Sequence, residues 1–353
     1  MKQTDERDVV FARLRYQKGS DNYDDYYKRN PERKERDDAF RSRPFLGGED
    51  AVMYDPLYSK MPEANFDFLA DIRCLCTPTP CEVKVQATAE EFTNSICGLA
   101  NYYGAKSVAI TNVPAEYYYS HFGRPKEKYG HPVPTNLPTA IVFTCEMSRA
   151  MMFRAPKQPA ALGATKGYID TAIIGMQLAY FIASLGYSAR NNMDGDYMLP
   201  LVPLAIKAGI GELGKNSLLL TKEFGPRVRL GAVLTDLPLQ LKETQPIGLN
   251  KLCDHCQRCV VSCPGRAIMP AKGGNFSDDE CYKMWQSFGT DCGICIAACP
   301  YANEIPEKLF QHMHTEEGVQ EMVNYCDRHY PRRNVIFQDL PWMQNRKLKE
   351  REK

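Results

Sequence analysis

The sequence predicts an α/β (α+β) body followed by a small cysteine-rich module, and three observations carry that prediction. Between Ala89 and Leu239, short apolar runs suited to buried strands alternate with stretches of helical periodicity. Eight of the 14 cysteines lie between Cys253 and Cys299, at the spacing of metal ligands rather than spread as a disulfide framework. The composition, 44% hydrophobic and 25% charged over 353 residues, is that of a globular chain long enough to bury a large core, which excludes collagenous, low-complexity and disordered classes. The net charge of +1 offers no global basic field to recruit nucleic acid or anionic lipid.

Four parts follow in order. Residues 1–65 form a charged N-terminal arm: 22 residues from Lys2 to Arg43 are charged in alternating sign, with Tyr16, Tyr23, Tyr26 and Tyr27 between them, the pattern of a solvated helical segment lying on a larger body. Turn residues at Pro44–Gly48 and apolar positions from Leu57 to Ile72 put a boundary near 45 to 70. The body, residues 66–248, contains helices over Ala89–Tyr103 and Tyr168–Leu185 and strands over 107–113 and 139–145. Gly186 takes the left-handed cap of the second helix, and Asp170 sits in its first turn, where the macrodipole favours an anion. The charge-free stretch Thr171–Ala189 includes Gln177, two Ser and two Gly, so it reads as a buried helix rather than a membrane span. Residues 203–239 begin as a helix, pass through a glycine-rich loop and end in the alternation Val228, Leu230, Ala232, Leu234. The first twenty residues hold no apolar export segment and no twin-arginine pair, which predicts a cytoplasmic protein; removal of a twin-arginine leader would instead place it at the outer face of the cytoplasmic membrane.

The third part, 249–305, is the cysteine module, and 306–353 is a C-terminal extension. Cys253, Cys256, Cys259 and Cys263 read C-x2-C-x2-C-x3-C-P, the run that binds iron-sulfur clusters in two-cluster bacterial ferredoxins. Cys292, Cys295 and Cys299, followed by Pro300, repeat its last part. Because the fourth cysteine of each run crosses to the other cluster, one [4Fe-4S] centre takes Cys253, Cys256, Cys259 and Cys299, and the other takes Cys263, Cys292 and Cys295. The missing ligand would stand at Gly289; the nearest upstream cysteine is Cys281, which requires the segment from Met284 to Gly289 to loop out. Zinc would use paired C-x2-C sets and has no need of the x3-C-P tails. Cys74, Cys76, Cys81, Cys97, Cys145 and Cys326 have no cluster spacing and read as buried, inert thiols. Neither a G-x-G-x-x-G after a strand nor a Walker loop is present, so the body receives electrons through a redox cofactor with no common motif.

The chain resembles the corrinoid-dependent reductive dehalogenases. The resemblance runs over the arm and DPLYSKMPEANFDFLADIR (55–73), the helix GYIDTAIIGMQLAYFIASLGYSA, the segment PLAIKAGIGELGKNSLLLTKEFGPRVRLGAVLTDLPL, CYKMW and GTDCGICIAACP. It is also similar to epoxyqueuosine reductase, which shares the corrinoid body and the ferredoxin-like module. The resemblance implies a nitroreductase-like body holding a base-off corrinoid (cobalamin) beside a cluster. Tyr168, nineteen residues before Tyr187 of the LGY ending, matches the proton-donor tyrosine, and Arg229, the second arginine of GPRVRL, matches its partner. A third polar residue follows LGY: Asn192 is the assignment, with Asn191, Asp194 and Asp196 also fitting the place. No D-x-H-x2-G corrinoid motif is present, so no protein histidine is expected on cobalt. Gly211, Gly214, Lys215 and Asn216 of the glycine-rich loop are expected to approach the corrinoid, and Phe153, Met193 and Trp342 to line a substrate pocket.

The chemistry accounts for these residue types. Expelling halide after two electrons arrive leaves a basic carbon that needs a proton, and a phenol with a pKa of about 10 is still protonated at neutral pH, unlike a free carboxyl. The phenolate left behind needs a fixed positive charge, which an arginine supplies. The expected partners are an organohalide and an external low-potential electron donor, with no nucleic acid; the resemblance also leaves room for a membrane-anchor protein. Two other functions stay open on the sequence: an epoxyqueuosine reductase-like tRNA-modifying enzyme, and a non-enzymatic ferredoxin-like electron-transfer or corrinoid-reducing protein.

Overall fold

The computed structural model describes residues 3–44, 46–241, 245–270 and 276–343. The last ten residues of the expected C-terminal extension, 344–353, lie outside the described residues.

Four strands, β1 (Ser107–Asn112), β2 (Thr139–Glu146), β3 (Ala189–Asn192) and β6 (Val228–Thr235), form one antiparallel sheet in the order β1-β2-β6-β3. Pairing is antiparallel throughout, so of the two classes the sequence allowed the body is α+β. The period-two alternation of the strands sorts their side chains cleanly. Ile141, Phe143, Cys145 and Val233 join the core under helix α5 (Ala89–Tyr102) and helix α7 (Gln158–Ser184). Ala140, Val142, Ala232 and Leu234 join the opposite core, closed by α8 (Leu201–Lys207) and residues between Val113 and Leu137. Thr88 starts α5 with a capping box, its hydroxyl taking the Glu91 amide while the Glu91 carboxylate takes the Thr88 amide.

Helix α7 begins at Gln158, not at Tyr168 as the sequence predicts. Pro159 in its first turn supplies a preset φ, and the small residues Ala160, Ala161, Gly163 and Ala164 are buried although they form no apolar stripe that periodicity would detect. Tyr168 therefore lies in the interior of the helix. Asp170 is not in its first turn, and its charge is met by Lys166 one turn earlier, at 2.6 Å. The left-handed cap at Gly186 is as expected, with φ +85°. No helix among the described residues is long and apolar enough to cross a membrane.

The arm is helical and exposes most of its charges as predicted, but its tyrosines and a few charges are buried. A single turn α1 (Val10–Arg13), α2 (Asp21–Arg29) and α3 (Lys34–Arg41) bury Tyr16, Tyr23, Tyr26 and Tyr27 in their own core. Glu6, Arg13 and Asp37 are fully buried because each charge has a partner: Arg13 pairs with Asp37 and Asp279, and Glu6 with Arg124 at 2.7 Å. Internal pairing thus takes these few charges, while most of the alternating run, Asp21, Asp24, Lys28, Lys34 and Glu35 among them, faces water. Between arm and body, α4 (Lys60–Asp71) packs its Leu69 and Phe66 against α7.

Short helices α9 (Lys251–Cys256), α10 (Arg258–Ser262) and α12 (Ile294–Ala298) carry the two cysteine runs. With α11 (Asp278–Phe288) and α13 (Glu316–His329) they enclose a core that includes Cys292, Cys299, Tyr301 and Met313 and continues into Met152, Phe153 and Ala164 of the body. The segment from Met284 to Phe288 does not loop out; it continues α11, and Gly289 ends that helix in the left-handed region with φ +72°. Phe11 of α1 packs on Tyr282 and Trp285 of α11, with ring centroids 5.7 and 5.5 Å away, so the arm is docked on the cysteine module.

Candidate active site and cluster ligands

The eight module cysteines fall into two neighbourhoods. Burial raises the Cys299 thiol, and the sulfurs that add to the effect are Cys253, Cys256 and Cys259. Burial likewise raises Cys281, pushed up to about 12, with Cys292 and Cys263 as its nearest charged influences. Cys295 feels Cys292, Cys281, Cys259 and Cys263, which puts it in the second group on the side facing the first. Cys281 therefore belongs electrostatically with Cys263 and Cys292 while it stands on a regular helix, with no extruded loop. Among the described residues no three His, Cys, Asp or Glu side chains are arranged to hold a single metal ion; the grouping lies in the mutual influence of the thiols. As a donor set, eight soft sulfurs in two adjoining groups fit two iron-sulfur clusters, and binding iron would release the protons that burial otherwise keeps on them.

Of the six remaining cysteines, Cys76, Cys145 and Cys326 are buried as expected, but Cys74 and Cys81 are exposed. They lie in the irregular segment after α4, where no element covers them.

The polar site lies where α7, β6 and the second cysteine run meet. Arg229, opposite Cys145 at the end of β2, places its guanidinium carbon 4.2 Å from the centre of the Tyr168 ring. This approach depends on Gly167: a Cβ there would come within 2.5 Å of the Arg229 side chain. Arg229 also donates to the Asp291 carboxylate at 3.2 Å and to the Ala164 carbonyl at 3.3 Å. Asp291 directly precedes Cys292, so one covalent step separates the polar site from a cluster cysteine. Burial raises the Asp291 carboxyl to about 6, Arg229 opposing and Asp194 adding to the rise. Burial also raises the Tyr168 phenol above its ordinary value, while Arg229 pulls the other way, so the phenol holds its proton across the neutral range.

The four alternatives for the third polar residue are sorted by their bonds. Asn192 is spent on the backbone, donating to the Ala232 carbonyl at 3.3 Å and accepting from the Met198 amide at 2.9 Å. Asn191 donates to the Ala172 carbonyl at 3.0 Å inside α7. Asp196 pairs with Arg190 at 2.7 Å. Asp194 alone of the four is among the groups acting on Tyr168, Arg229 and Asp291. Two further residues that sequence reasoning missed belong here: Tyr197, whose phenol is raised by burial and by Tyr168, and Arg124, which stacks 5.0 Å from the Tyr197 ring centre. Neither carries a local signal, since only tertiary folding brings residues 124 and 197 to this part of the molecule. The Asp291 carboxylate did have one, its place in the DCGIC run beside a cluster ligand.

Tyr168, Asp194, Tyr197, Arg229 and Asp291 each keep part of their surface open while Met193, Leu199 and Gly167 around them are buried. These partly exposed polar groups beside Cys292 are the residues that a redox cofactor could contact. The glycine-rich loop has another geometry. A Cβ at Gly211 would meet the Leu220 carbonyl at 2.2 Å and one at Gly214 the Leu220 side chain at 2.9 Å, so the approach that needs glycine is to the loop's own ribbon, β4 (Glu212–Leu213) with β5 (Leu219–Leu220). Asn216 accepts from the Leu218 amide within the turn. Lys215 donates to the Pro270 carbonyl at 3.1 Å, and it opposes the rise that burial imposes on the Cys253 thiol, so this loop faces the first cysteine group. Of the three expected pocket residues, Met193 packs beside Tyr168, Phe153 is sealed in the module core and Trp342 is exposed.

The fold is similar to that of catabolic reductive dehalogenase NpRdhA, solved in complex with 3-bromo-4-hydroxybenzoic acid, with a TM-score of 0.67 and 21% identity over 79% of this chain and 44% of that one. In sequence the chain is 29% identical over 194 residues to tetrachloroethene reductive dehalogenase of Desulfitobacterium hafniense, covering 50% of this chain. It is 32% identical over 130 residues to epoxyqueuosine reductase of Lactococcus garvieae (strain Lg2), covering 33% of this chain and 34% of that protein. The resemblance read from the sequence is thus present in fold and sequence for the reductive dehalogenases, and in sequence for epoxyqueuosine reductase. The chain spans about a third of the length of the curated dehalogenases it matches, 34% of the first. No protein-family model matches it.

Proposed function

We propose that the chain is the catalytic and electron-carrying part of a reductive dehalogenase, which replaces halogen by hydrogen on an organohalide: R–X plus two electrons and a proton gives R–H plus X⁻. The observation that carries the reading is the stack of Arg229 on Tyr168, linked through Asp291 to Cys292. It joins a proton donor, its counter-charge and a cluster cysteine in one unit.

In this reading Cys253, Cys256, Cys259 and Cys299 hold one [4Fe-4S] cluster, and Cys263, Cys281, Cys292 and Cys295 hold the other. A base-off corrinoid seated beside Tyr168 and Arg229 would supply a reducing cobalt centre for carbon–halogen cleavage, fed one electron at a time through the clusters from an external low-potential donor. Tyr168 gives its proton to the carbon that loses halide, and Arg229 holds the phenolate that remains. Asp194, rather than Asn192, is the third polar group of the site, because the Asn192 amide is already engaged by backbone at both ends. The Asp291 carboxylate fixes the direction of the Arg229 guanidinium. The site acts without nucleic acid, and a membrane-anchoring partner would position it near its donor.

The test is anaerobic reconstitution of the full chain with iron, sulfide and cobalamin, followed by halide release from haloalkene and halophenol substrates under an artificial low-potential donor. Cobalt-dependent halide release is expected. Stoichiometric flavin in place of cobalt, or reduced cobalt that releases no halide from any substrate, would overturn the reading.

A further inference from the structure

The two cysteine runs fold alike and differ at one buried position. Cys256-Gln257-Arg258-Cys259 in the first and Cys292-Gly293-Ile294-Cys295 in the second hold the same place, and the second residue of each is left-handed, Gln257 at φ +49° and Gly293 at φ +69°. That reversal joins α9 to α10 in the first run and starts α12 in the second. It is unusual for a residue other than glycine, and the Gln257 amide is tied to the Cys253 and Asp254 carbonyls at 3.4 and 3.1 Å. The next residue is buried in both runs, but one is the apolar Ile294 and the other carries a guanidinium.

Four acceptors at the end of α13 hold Arg258. It donates to the Cys326, Tyr330 and Pro331 carbonyls at 3.0, 3.3 and 2.9 Å and to the Asp327 carboxylate at 2.7 Å. Closing the helix end does not by itself call for an arginine from the cysteine run, since α13 has Arg328 and His329 in its own last turn. Arg258 and Cys256 share the wall of a cavity of about 260 Å³ that also takes in Cys326 and Asp327. Burial raises the Cys256 thiol, and Arg258 opposes the rise. On the second side the cation that acts on Cys292, Arg333, is opposed by the Asp291 carboxylate next to it in the chain.

Resting on the cluster assignment proposed above, we infer that Arg258 raises the reduction potential of the first cluster above that of the second. A cluster gains negative charge on reduction, and a buried guanidinium fixed beside it favours that form. The first cluster then fills before the second, which lies on the side of Tyr168 and Arg229, and keeps one of the two electrons of the reaction in readiness. Each transfer is of one electron from the external donor, with no bond made or broken.

The full chain reconstituted with iron and sulfide is titrated reductively and followed by electron paramagnetic resonance, which needs neither corrinoid nor substrate. Two separate midpoints are expected. Arg258→Met should lower the higher one by about 59 mV, a tenfold change in the one-electron equilibrium, and leave the lower one in place. A single parental midpoint overturns the inference, as does a shift in the lower midpoint, in both together or in neither. Asp327→Asn decides the matter where Arg258→Met fails to hold its first cluster. Its carboxylate is 70% exposed, the amide keeps an oxygen for Arg258, and the charge that offsets the guanidinium is gone. The higher midpoint should rise by about threefold in the same equilibrium, and an unmoved or lowered one overturns the inference. Midpoints that behave as expected in a chain releasing no halide sink the dehalogenase reading and leave this inference standing, whereas a parental chain that takes up no iron refutes the cluster assignment and the inference with it.

Discussion

In the proposed reaction the stacked pair of Tyr168 and Arg229 would deliver the proton apart from the electrons, and substitutions can read the two apart. Tyr168→Phe keeps the ring that packs against Phe66, at 6.1 Å, so the helix and its surroundings should survive. Halide release should fall by about 10² or more, the contribution of a positioned general acid, while the metal centres still reduce normally in the same sample. Arg229→Leu should cost a comparable factor through loss of the counter-charge, and the double variant little more than either, because the residues work as a unit. Parental halide release in Tyr168→Phe would send the proton donor elsewhere. Gly167→Ala makes the same point without touching either partner: the added methyl meets the Arg229 side chain, which must leave the Tyr168 ring, so release should drop about tenfold with cluster content unchanged. Both partners were legible from the sequence because they lie in long matching segments. Asn192 was not resolved from Asp194, because spacing along the loop does not say which side chains the sheet consumes. Asn192, paired with Ala232 across β3 and β6, is consumed.

Elements differ in how openly the sequence states them. β1 and β2 fall within a residue of expectation because both are short apolar runs, β2 buried on both faces and β1 in part. The first ten residues of α7 were missed because Ala and Gly pack by being small, which leaves no periodic stripe. In the arm the buried Glu6, Arg13 and Asp37 could not be told from their exposed neighbours for a related reason, since alternating charge looks the same whether water or an opposite charge satisfies it. α11 shows the use of that arm: Arg13 joins Asp37 of α3 to Asp279 of α11, and Arg43 donates to Ser287 at 2.9 Å. Arg13→Met leaves Asp37 fully buried without its cation and should destabilise the protein by about 3–5 kcal/mol, read as an earlier denaturant midpoint. An unchanged midpoint would mean the arm is carried passively. α11 also presents Cys281. If Cys281 is the displaced fourth ligand, Cys281→Ala should damage one cluster and leave the other, halving the electron paramagnetic resonance signal of the reduced protein; two intact centres would refute the ligand crossing proposed for the cysteine runs.

At the scale of the whole molecule, the body, the arm and the cysteine module share one packed interface, and the clusters would sit at its centre. Cys292 and Cys299 lie in the same core as Met152 and Ala164 of the body, while α11 carries both Cys281 and the arm's anchor Asp279. Buried thiols are raised well above their ordinary range, Cys259 to about 12 and Cys292 to about 11, so without iron this core would hold protonated sulfurs around space meant for inorganic atoms. Binding that requires the folded sites stabilises the folded state by mass action, and the stabilisation should spread to whatever the cluster helices hold. The protein reconstituted anaerobically should therefore carry about eight iron and eight sulfide. It should also melt higher than the chelated form. The second consequence is specific to this architecture: stripping the clusters should loosen α11, release the arm and open the chain between Leu14 and Ser20 to protease, far in sequence from any cysteine. Equal protease resistance of the arm in cluster-loaded and stripped protein would show that the arm is held by Arg13 and Phe11 alone and that cluster binding stays local to the module.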